Sequence, residues 1–270
     1  MKRNRAGLVI SLTLVVLLAL VAIIGPKYLP HQPFKPDMRA ALQPPSHEHL
    51  LGTDNLGRCV ACRIVAGAST SLFAALAVVA IVFVIGTVLG ITAGYIGGAL
   101  DHVLMRVTLI FQAFPSFILA VAVAGILGNG MGNSILSLCA VYWTTYARLA
   151  RSLTVSMRNA PYIKAAKVCG ANRLVILFKY VLPNVVAPVL VTAALDVGSV
   201  ILSMAGLSFL GLGAVRPTAE WGAVMSEAKD YLQKAPWIIV FNGIALFLVV
   251  TVFNLLGDSL RDALDTKGEI

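Results

Sequence analysis

One carboxylate, that of Asp196, lies inside a predicted membrane span, and this places it where a charged group could act on a substrate. A charged side chain is costly in hydrocarbon, so it usually faces a water-filled cavity or a polar partner. The position predicts that Asp196 lines a translocation path, near a cationic substrate, with Ser203 and Met204 further along the same helix. The alternative is an ion pair or a hydrogen bond with a partner subunit.

Two short clusters contain residue types that bind metals. His47, Glu48 and His49 could offer ligands, and imidazole suits nickel or zinc, but without a fixed scaffold we interpret them as part of a solvated loop. Cys59 and Cys62 have the spacing of a redox or metal motif, yet a single pair is weak, and we interpret them as small buried side chains. The prediction is therefore that this chain has no metal site.

Motifs that would indicate catalysis are missing from the sequence. It contains no G-x-x-x-x-G-K-[ST] segment for binding ATP, and neither H-E-x-x-H nor G-x-S-x-G. We therefore predict that the chain is not an enzyme, with no catalytic residue and no cofactor of its own. If transport uses energy, that energy must come from a partner.

The composition is that of a membrane protein. Of the 270 residues, 59% are hydrophobic and only 12% are charged, with a mean hydropathy of +0.88. Soluble domains carry about 25% charged residues, so this chain cannot cover a water-facing surface. The net charge of +9 lies in loops between apolar runs, which argues against nucleic-acid binding. The predicted fold is all-α, with about six transmembrane helices of roughly 20 residues each.

The apolar runs and the charges between them predict a topology. The predicted spans cover about residues 6–24, 72–98, a run ending near 127 with a kink at Pro115, 134–148, 185–206 and 237–256. This arrangement puts thirteen of the 21 lysines and arginines on one side and eight on the other. Because positive charge marks the cytoplasmic side, both termini are predicted to be cytoplasmic. We divide the chain into a first helix with an extracytoplasmic segment (1–66) and a core (67–270).

Four glycines recur at every fourth position in the second predicted span. Gly86, Gly90, Gly94 and Gly98 would share one helix face, on which a neighbouring helix can pack backbone to backbone. The neighbour could be another subunit or another helix of this chain, and the sequence leaves both open. A short turn containing Asp101, His102 and Arg106 is predicted to follow.

The longest basic segment lies between the fourth and fifth predicted spans, near residues 159–183. Pro161 suits the first turn of a helix, Ala165 and Ala166 make one of its faces small, and Gly170 can end it. Leu182 and Pro183 are predicted to stop a second helical piece. Seven cations and no carboxylate surround it: Arg148, Arg151, Arg158, Lys164, Lys167, Arg173 and Lys179.

This segment resembles the "EAA" loop in permease subunits of ABC importers, the coupling helix that docks into a groove of the ATPase subunit. The resemblance implies ATPase coupling through Lys164, Ala165, Ala166, Gly170, Leu182 and Pro183. Lys164 stands where the family usually has Glu, so an ion pair made by that Glu is not expected here.

Three further stretches resemble the peptide and nickel branch of these permeases. Residues 51–58 (LGTDNLGR) are similar to its LGTDxxGRD signature, whose last Asp is replaced by Cys59. Residues 208–213 (SFLGLG) with 217–222 (PTAEWG) are similar to its segment after the fifth helix, and 253–262 to its C-terminus.

A surface helix is predicted from Trp221 onward, with Val224 and Met225 on its apolar face and Glu227 on its polar face. We interpret it either as a lid over the pathway that meets a binding protein or as a structural interfacial helix.

The resemblance implies the type I importer permease fold in a bacterial cytoplasmic membrane. The implied partners are a homologous second permease, two ATPase subunits that bind ATP and Mg, and an extracytoplasmic solute-binding protein. Tyr146-Ala-Arg148, Leu195-Asp196 and PTAEWG look closer to nickel or metal-chelate permeases than to dipeptide ones. Import of dipeptides or oligopeptides is the alternative, and a secondary transporter is a weaker one.

Overall fold

The structure is a computed structural model that describes residues 2–264, and it is built almost entirely from helices. A π-helical turn, Ile176–Val181, joins α7 to α8 without a break. The α-helices are α1 (Lys2–Ile24), α2 (Val60–Ile96), α3 (Gly98–Gln112), α4 (Ser116–Leu127), α5 (Met131–Met157), α6 (Pro161–Val168), α7 (Arg173–Val175), α8 (Leu182–Phe209), α9 (Trp221–Ala228) and α10 (Pro236–Leu264).

Within residues 2–264, four helical stretches are long and apolar enough to cross a membrane: Ala6–Lys27, α2, the continuous helix Arg173–Phe209, and α10. Helices α3 and α4 form a fifth span if the pair is counted together, although they bend by 90° around Pro115. Helix α5 has 27 residues, enough to cross a membrane, but it is less apolar than these stretches because it contains more polar residues. The all-helical membrane fold is confirmed, with four or five apolar spans within residues 2–264 and a sixth crossing if α5 is counted, and so is the break at Pro115.

The two ends of the helical bundle can be told apart by contacts between its helices. Gly7 of α1 lies against Ser259 of α10, whereas Gly25 lies against Val65 of α2. One side of the bundle, which we call the α6 end, therefore contains the first residues of α1 and α8 and the last residues of α2, α5 and α10. The opposite end, which we call the α9 end, carries residues 25–59 and α9.

Three of the four glycines predicted to share one helix face lie on α2 and pack against α5 of the same chain. A Cβ added to Gly86 would lie 2.4 Å from the Tyr146 Cβ, and one added to Gly90 would lie 2.3 Å from the Ala147 carbonyl oxygen. Of the two alternatives, packing within the chain accounts for Gly86, Gly90 and Gly94. The inclusion of Gly98 was wrong, because the helix breaks at Gly97 and Gly98 has a φ of +62° with nothing near it.

Three local predictions differ from the structure. Asp101, His102 and Arg106 lie within α3. The chain turns before α3 begins, at Gly97, where φ is +72°. The helix does not stop at Pro183, since a proline in the first turn of α8, after a π-helical turn, does not interrupt it. The division after residue 66 falls inside α2, which begins at Val60.

Candidate functional site

Helix α6 presents a small exposed face at its end of the bundle. Pro161 begins it, and Ile163 and Ala166 point inward and are buried. Gly170, with φ +82°, ends the turn that follows, where its N–H donates to the Lys167 carbonyl oxygen. The alanine pair is therefore divided: Ala165 is exposed, while Ala166 packs against the core.

Apolar side chains flank Ala165 on the exposed side of α6. Tyr162 is 45% exposed and Val168 is 88% exposed. We call Tyr162, Ala165 and Val168 the α6 face. Lys164 and Lys167 lie beside it and are also exposed. Exposed apolar side chains grouped on one helix face can serve as a protein contact. Leu182 and Pro183 belong to the junction with α8 rather than to this face.

Asp196 lies midway along α8, half-buried against α5. Its carboxylate is beside the Tyr146 hydroxyl, without the geometry of a formed hydrogen bond. Tyr146 is fully buried, and its hydroxyl makes no hydrogen bond of acceptable geometry among the described residues. The pair can rearrange to bind a polar or cationic group, because a buried hydroxyl and carboxylate both gain from one.

The two other predicted path residues are more enclosed than Asp196. The Ser203 hydroxyl lies 2.9 Å from the Tyr142 hydroxyl of α5 and donates to the Ser199 carbonyl oxygen. Met204 is buried in the apolar core. The structure thus brings Asp196 and Ser203, about two turns apart on α8, to two tyrosines of α5, and it places Met204 in the packing between helices.

A buried ion-pair network at the α9 end is the feature that sequence reasoning missed. Arg58 contacts Asp54 at 2.7 Å and Glu227 at 2.5 Å. Arg63, which is fully buried, lies 3.5 Å from both carboxylates, and the more exposed Arg216 contacts Glu227 at 3.1 Å. The network joins residues 51–63 to α9. Glu227 is therefore not on a solvent-facing side, and that prediction was wrong, because helical periodicity cannot show buried arginines contributed by a distant segment.

The start of α9 is anchored to the bundle by Glu220 and Trp221. The Glu220 carboxylate accepts hydrogen bonds from the Ala223 N–H at 2.9 Å and the Ser71 hydroxyl at 3.3 Å. Burial raises the pKa of Glu220, and these hydrogen bonds oppose that rise. The Trp221 indole N–H donates to the Ile64 carbonyl oxygen at 3.0 Å. The PTAEWG segment is therefore a packing motif that fixes α9 against α2 and α8.

One cavity at the α9 end is lined by His31, His49 and Cys59, and Cys62 lies beside Cys59. The His31 and His49 rings are 4.7 Å apart, His49 is buried rather than solvated, and Cys59 and Cys62 are free thiols. Within residues 2–264, no group of three or more potential ligands is arranged to hold a metal ion. Cys59 occupies the N-cap position of α2 without a side-chain capping bond.

Comparison with known families gives two matches. Residues 86–268 match the family described as "Binding-protein-dependent transport system inner membrane component". Residues 1–45 match the "N-terminal TM domain of oligopeptide transport permease C".

Curated proteins similar to this chain transport different substrates. The nickel transport system permease protein NikC of Escherichia coli is 39% identical over 97% of this chain and 95% of its own length. The dipeptide transport system permease protein DppC of Alkalihalophilus pseudofirmus is 40% identical over 99% and 88%. The glutathione transport system permease protein GsiD of Pectobacterium atrosepticum is 43% identical over 83% and 74%.

A chain from the inward-facing structures of the MetNI methionine ABC transporter has a similar fold. The TM-score is 0.61 with 20% sequence identity, and the match covers 74% of this chain and 95% of that one. At this identity the likeness shows the fold alone.

Proposed function

Because the chain belongs to the family of binding-protein-dependent transport system inner membrane components, we propose that it carries nickel or a metal chelate through the membrane. Membership makes it a permease subunit of an ABC importer in the peptide and nickel branch, a multi-pass protein of the inner membrane without an ATPase domain. Such a component acts with ATPase subunits and a solute-binding protein. The proposed complex also contains a homologous second permease and two ATPase subunits that bind ATP and Mg.

The proposed orientation places the α6 end, with both termini, in the cytoplasm. The cations of the α6 end support it, because positive charge accumulates on the cytoplasmic side. In this orientation the α6 face meets an ATPase subunit, whose opening and closing moves α6 and, through the continuous helix Arg173–Phe209, shifts α8 against α5. The path then opens alternately to the two sides of the membrane.

Docking through the α6 face is tested by enlarging its small residue. Ala165→Trp, in the complete transporter, is expected to reduce substrate uptake and copurification of the ATPase subunits at least tenfold, because the indole ring prevents close approach of a partner backbone. Ala99→Trp, at an exposed position in α3, is the control and is expected to behave as wild type. Equal ATPase recovery from the two variants would contradict docking at this face.

The half-buried carboxylate of Asp196 carries the proposal for the substrate. A carboxylate beside a free hydroxyl attracts a cation within the span, and the similarity to a nickel permease agrees with this use. Import of a dipeptide is the second candidate, favoured by the equally high identity to a dipeptide permease.

Uptake of radiolabelled nickel by vesicles containing the full transporter separates the two substrates. Wild-type vesicles are expected to accumulate nickel in the presence of ATP and the binding protein. Asp196→Asn is expected to lower nickel uptake about tenfold, because the variant loses one favourable charge interaction worth about 1.4 kcal/mol. Ser199→Ala, at an exposed position of the same helix, is the control. Nickel uptake that an unlabelled dipeptide abolishes would favour the peptide substrate, and unchanged uptake by Asp196→Asn would refute its role in the path.

A further inference from the structure

A basic cavity lies at the α6 end, outside the path and beside the α6 face. Its volume is about 770 Å³. It is formed by the end of α2, the segment after α5, α6 and the chain from α7 into the π-helical turn. The lining residues are Tyr95, Ile96, Arg158, Asn159, Lys167, Ala171, Arg173, Leu174, Ile176 and Leu177.

Three cations line this cavity, and none of its described lining residues is acidic. Arg158 donates through one nitrogen to the Gly94 carbonyl oxygen at 3.2 Å, and the Lys167 Nζ lies 6.0 Å from the centre of the Tyr95 ring. The nearby carboxylate, Asp101, is already paired with Arg151 at 2.5 Å. Arg158, Lys167 and Arg173 form no ion pair with the described part of the chain. Their charge therefore suits an anion.

The wall of the cavity towards the membrane span is apolar. Ile96 and Leu174, both more than 60% exposed, stand at its rim. Ile96 also ends a row of exposed positions at every fourth residue of α2, which continues away from the cavity through residues 92, 88 and 84. This row includes Val88 and Val84, which are each 57% exposed, and Thr92, whose hydroxyl is satisfied by donating to the Val88 carbonyl oxygen at 2.7 Å. A free phosphate needs only the cations, whereas a phospholipid also uses an apolar track of this kind.

We propose that the cavity binds the headgroup of an anionic phospholipid. Its phosphate lies among Arg158, Lys167 and Arg173, and an acyl chain follows the exposed row on α2. Basic pockets between helices at a membrane surface are suited to such headgroups. Bound there, the lipid links α2 to α6 and α7, and so stabilises the position of the α6 face.

Native mass spectrometry of the transporter, purified through this chain, tests the site. The probes are phosphatidylglycerol and phosphatidylcholine with the same acyl chains, together with glycerol phosphate. Wild-type protein is expected to retain phosphatidylglycerol at least tenfold better than phosphatidylcholine. The combined variant Arg158→Gln, Lys167→Gln and Arg173→Gln is expected to lose this preference. The control variant Arg106→Gln, Lys179→Gln and Arg261→Gln removes the same charges from exposed positions elsewhere and is expected to keep it.

Four results would overturn the proposal. If wild-type protein retained the two lipids equally, the cavity would not be specific for an anionic headgroup. If both triple variants retained the same amount of phosphatidylglycerol, the three cations of the cavity would not bind it. Competition by glycerol phosphate at the same concentration as the lipid would show a soluble phosphate site instead. Crosslinks from Lys167→Cys and Arg173→Cys to an ATPase subunit, with no lipid retained, would assign the cavity to the protein interface. The thermal unfolding temperature of each variant is compared with wild type, and a triple variant that is unfolded is replaced by the single variant Arg173→Gln.

Discussion

Replacing Glu227 with alanine is expected to destabilise the α9 end by about 3–5 kcal/mol, the range for removing one partner of a buried ion pair. Glu227 contacts the guanidinium groups of Arg58, Arg63 and Arg216. Without it, Arg58 and Arg63 share only the carboxylate of Asp54, while both remain buried. The cost comes less from the lost attraction than from the uncompensated charge, because a buried charge without a partner is expensive.

The measurement is unfolding of the purified chain in detergent, followed together with protease cleavage within residues 25–59. Glu227→Gln keeps the size of the side chain and removes its charge, so a similar loss is expected if charge is the cause. Asp230→Asn removes a carboxylate from an exposed position three residues further on and is expected to change stability by less than about 0.5 kcal/mol. If Glu227→Ala unfolds like Asp230→Asn, the network does not hold α9 in place.

The ion-pair network shows what could not be predicted from one sequence. Arg58 and Glu227 are 169 residues apart, and no local pattern connects them. The charge at Glu227 looks solvent-facing by helical periodicity, yet two of the three arginines that contact it, Arg58 and Arg63, come from residues 51–63. Even the similarity of LGTDNLGR to a family signature gives no physical role for its Asp and Arg. The structure supplies that role, since Asp54 pairs with Arg58, and Arg58 pairs with Glu227 of α9.

Features set by local chemistry were predicted well. Pro161 begins the short helix α6, because a proline fits its first turn. Gly170 ends the turn after α6, because its φ of +82° suits glycine. The exposure of the two alanines could not be predicted, since it depends on which side of α6 meets the core. In the same way Asp196 could be singled out within its span, whereas its neighbour Tyr146 follows only from how α5 packs against α8.

Helix α5 illustrates a limit of hydropathy as a guide. Its predicted span, 134–148, is shorter than the helix observed, Met131–Met157, because Thr, Ser and Arg residues dilute its apolar character. It nevertheless contacts α2, α3, α4 and α8. Because these helices surround it within the bundle, less of its surface must be apolar to face lipid. The position of such a central helix depends on the helices that pack against it, above all on the glycines of α2 that allow close approach.

The α2–α5 contact leads to the second large effect, which is expected for Gly90→Ala. The added methyl group would lie 2.3 Å from the Ala147 carbonyl oxygen and 2.9 Å from the Arg151 backbone nitrogen. Backbone atoms cannot rotate away as a flexible side chain can, so the two helices must separate. A loss of about 3 kcal/mol is expected, at the upper end of the usual cost of overpacking.

Gly125→Ala in α4 and Gly243→Ala in α10 are matched controls, because each is helical and nothing lies within 4 Å of the added methyl. Both are expected to unfold at temperatures close to that of wild type in detergent, while Gly90→Ala unfolds at a clearly lower one. Separation of α2 from α5 also displaces Tyr146, which Gly86 contacts one turn away, from Asp196. Gly90→Ala should therefore reduce substrate uptake more than its loss of folded protein accounts for. A variant with normal stability and normal uptake would mean that the close approach of these helices is not required.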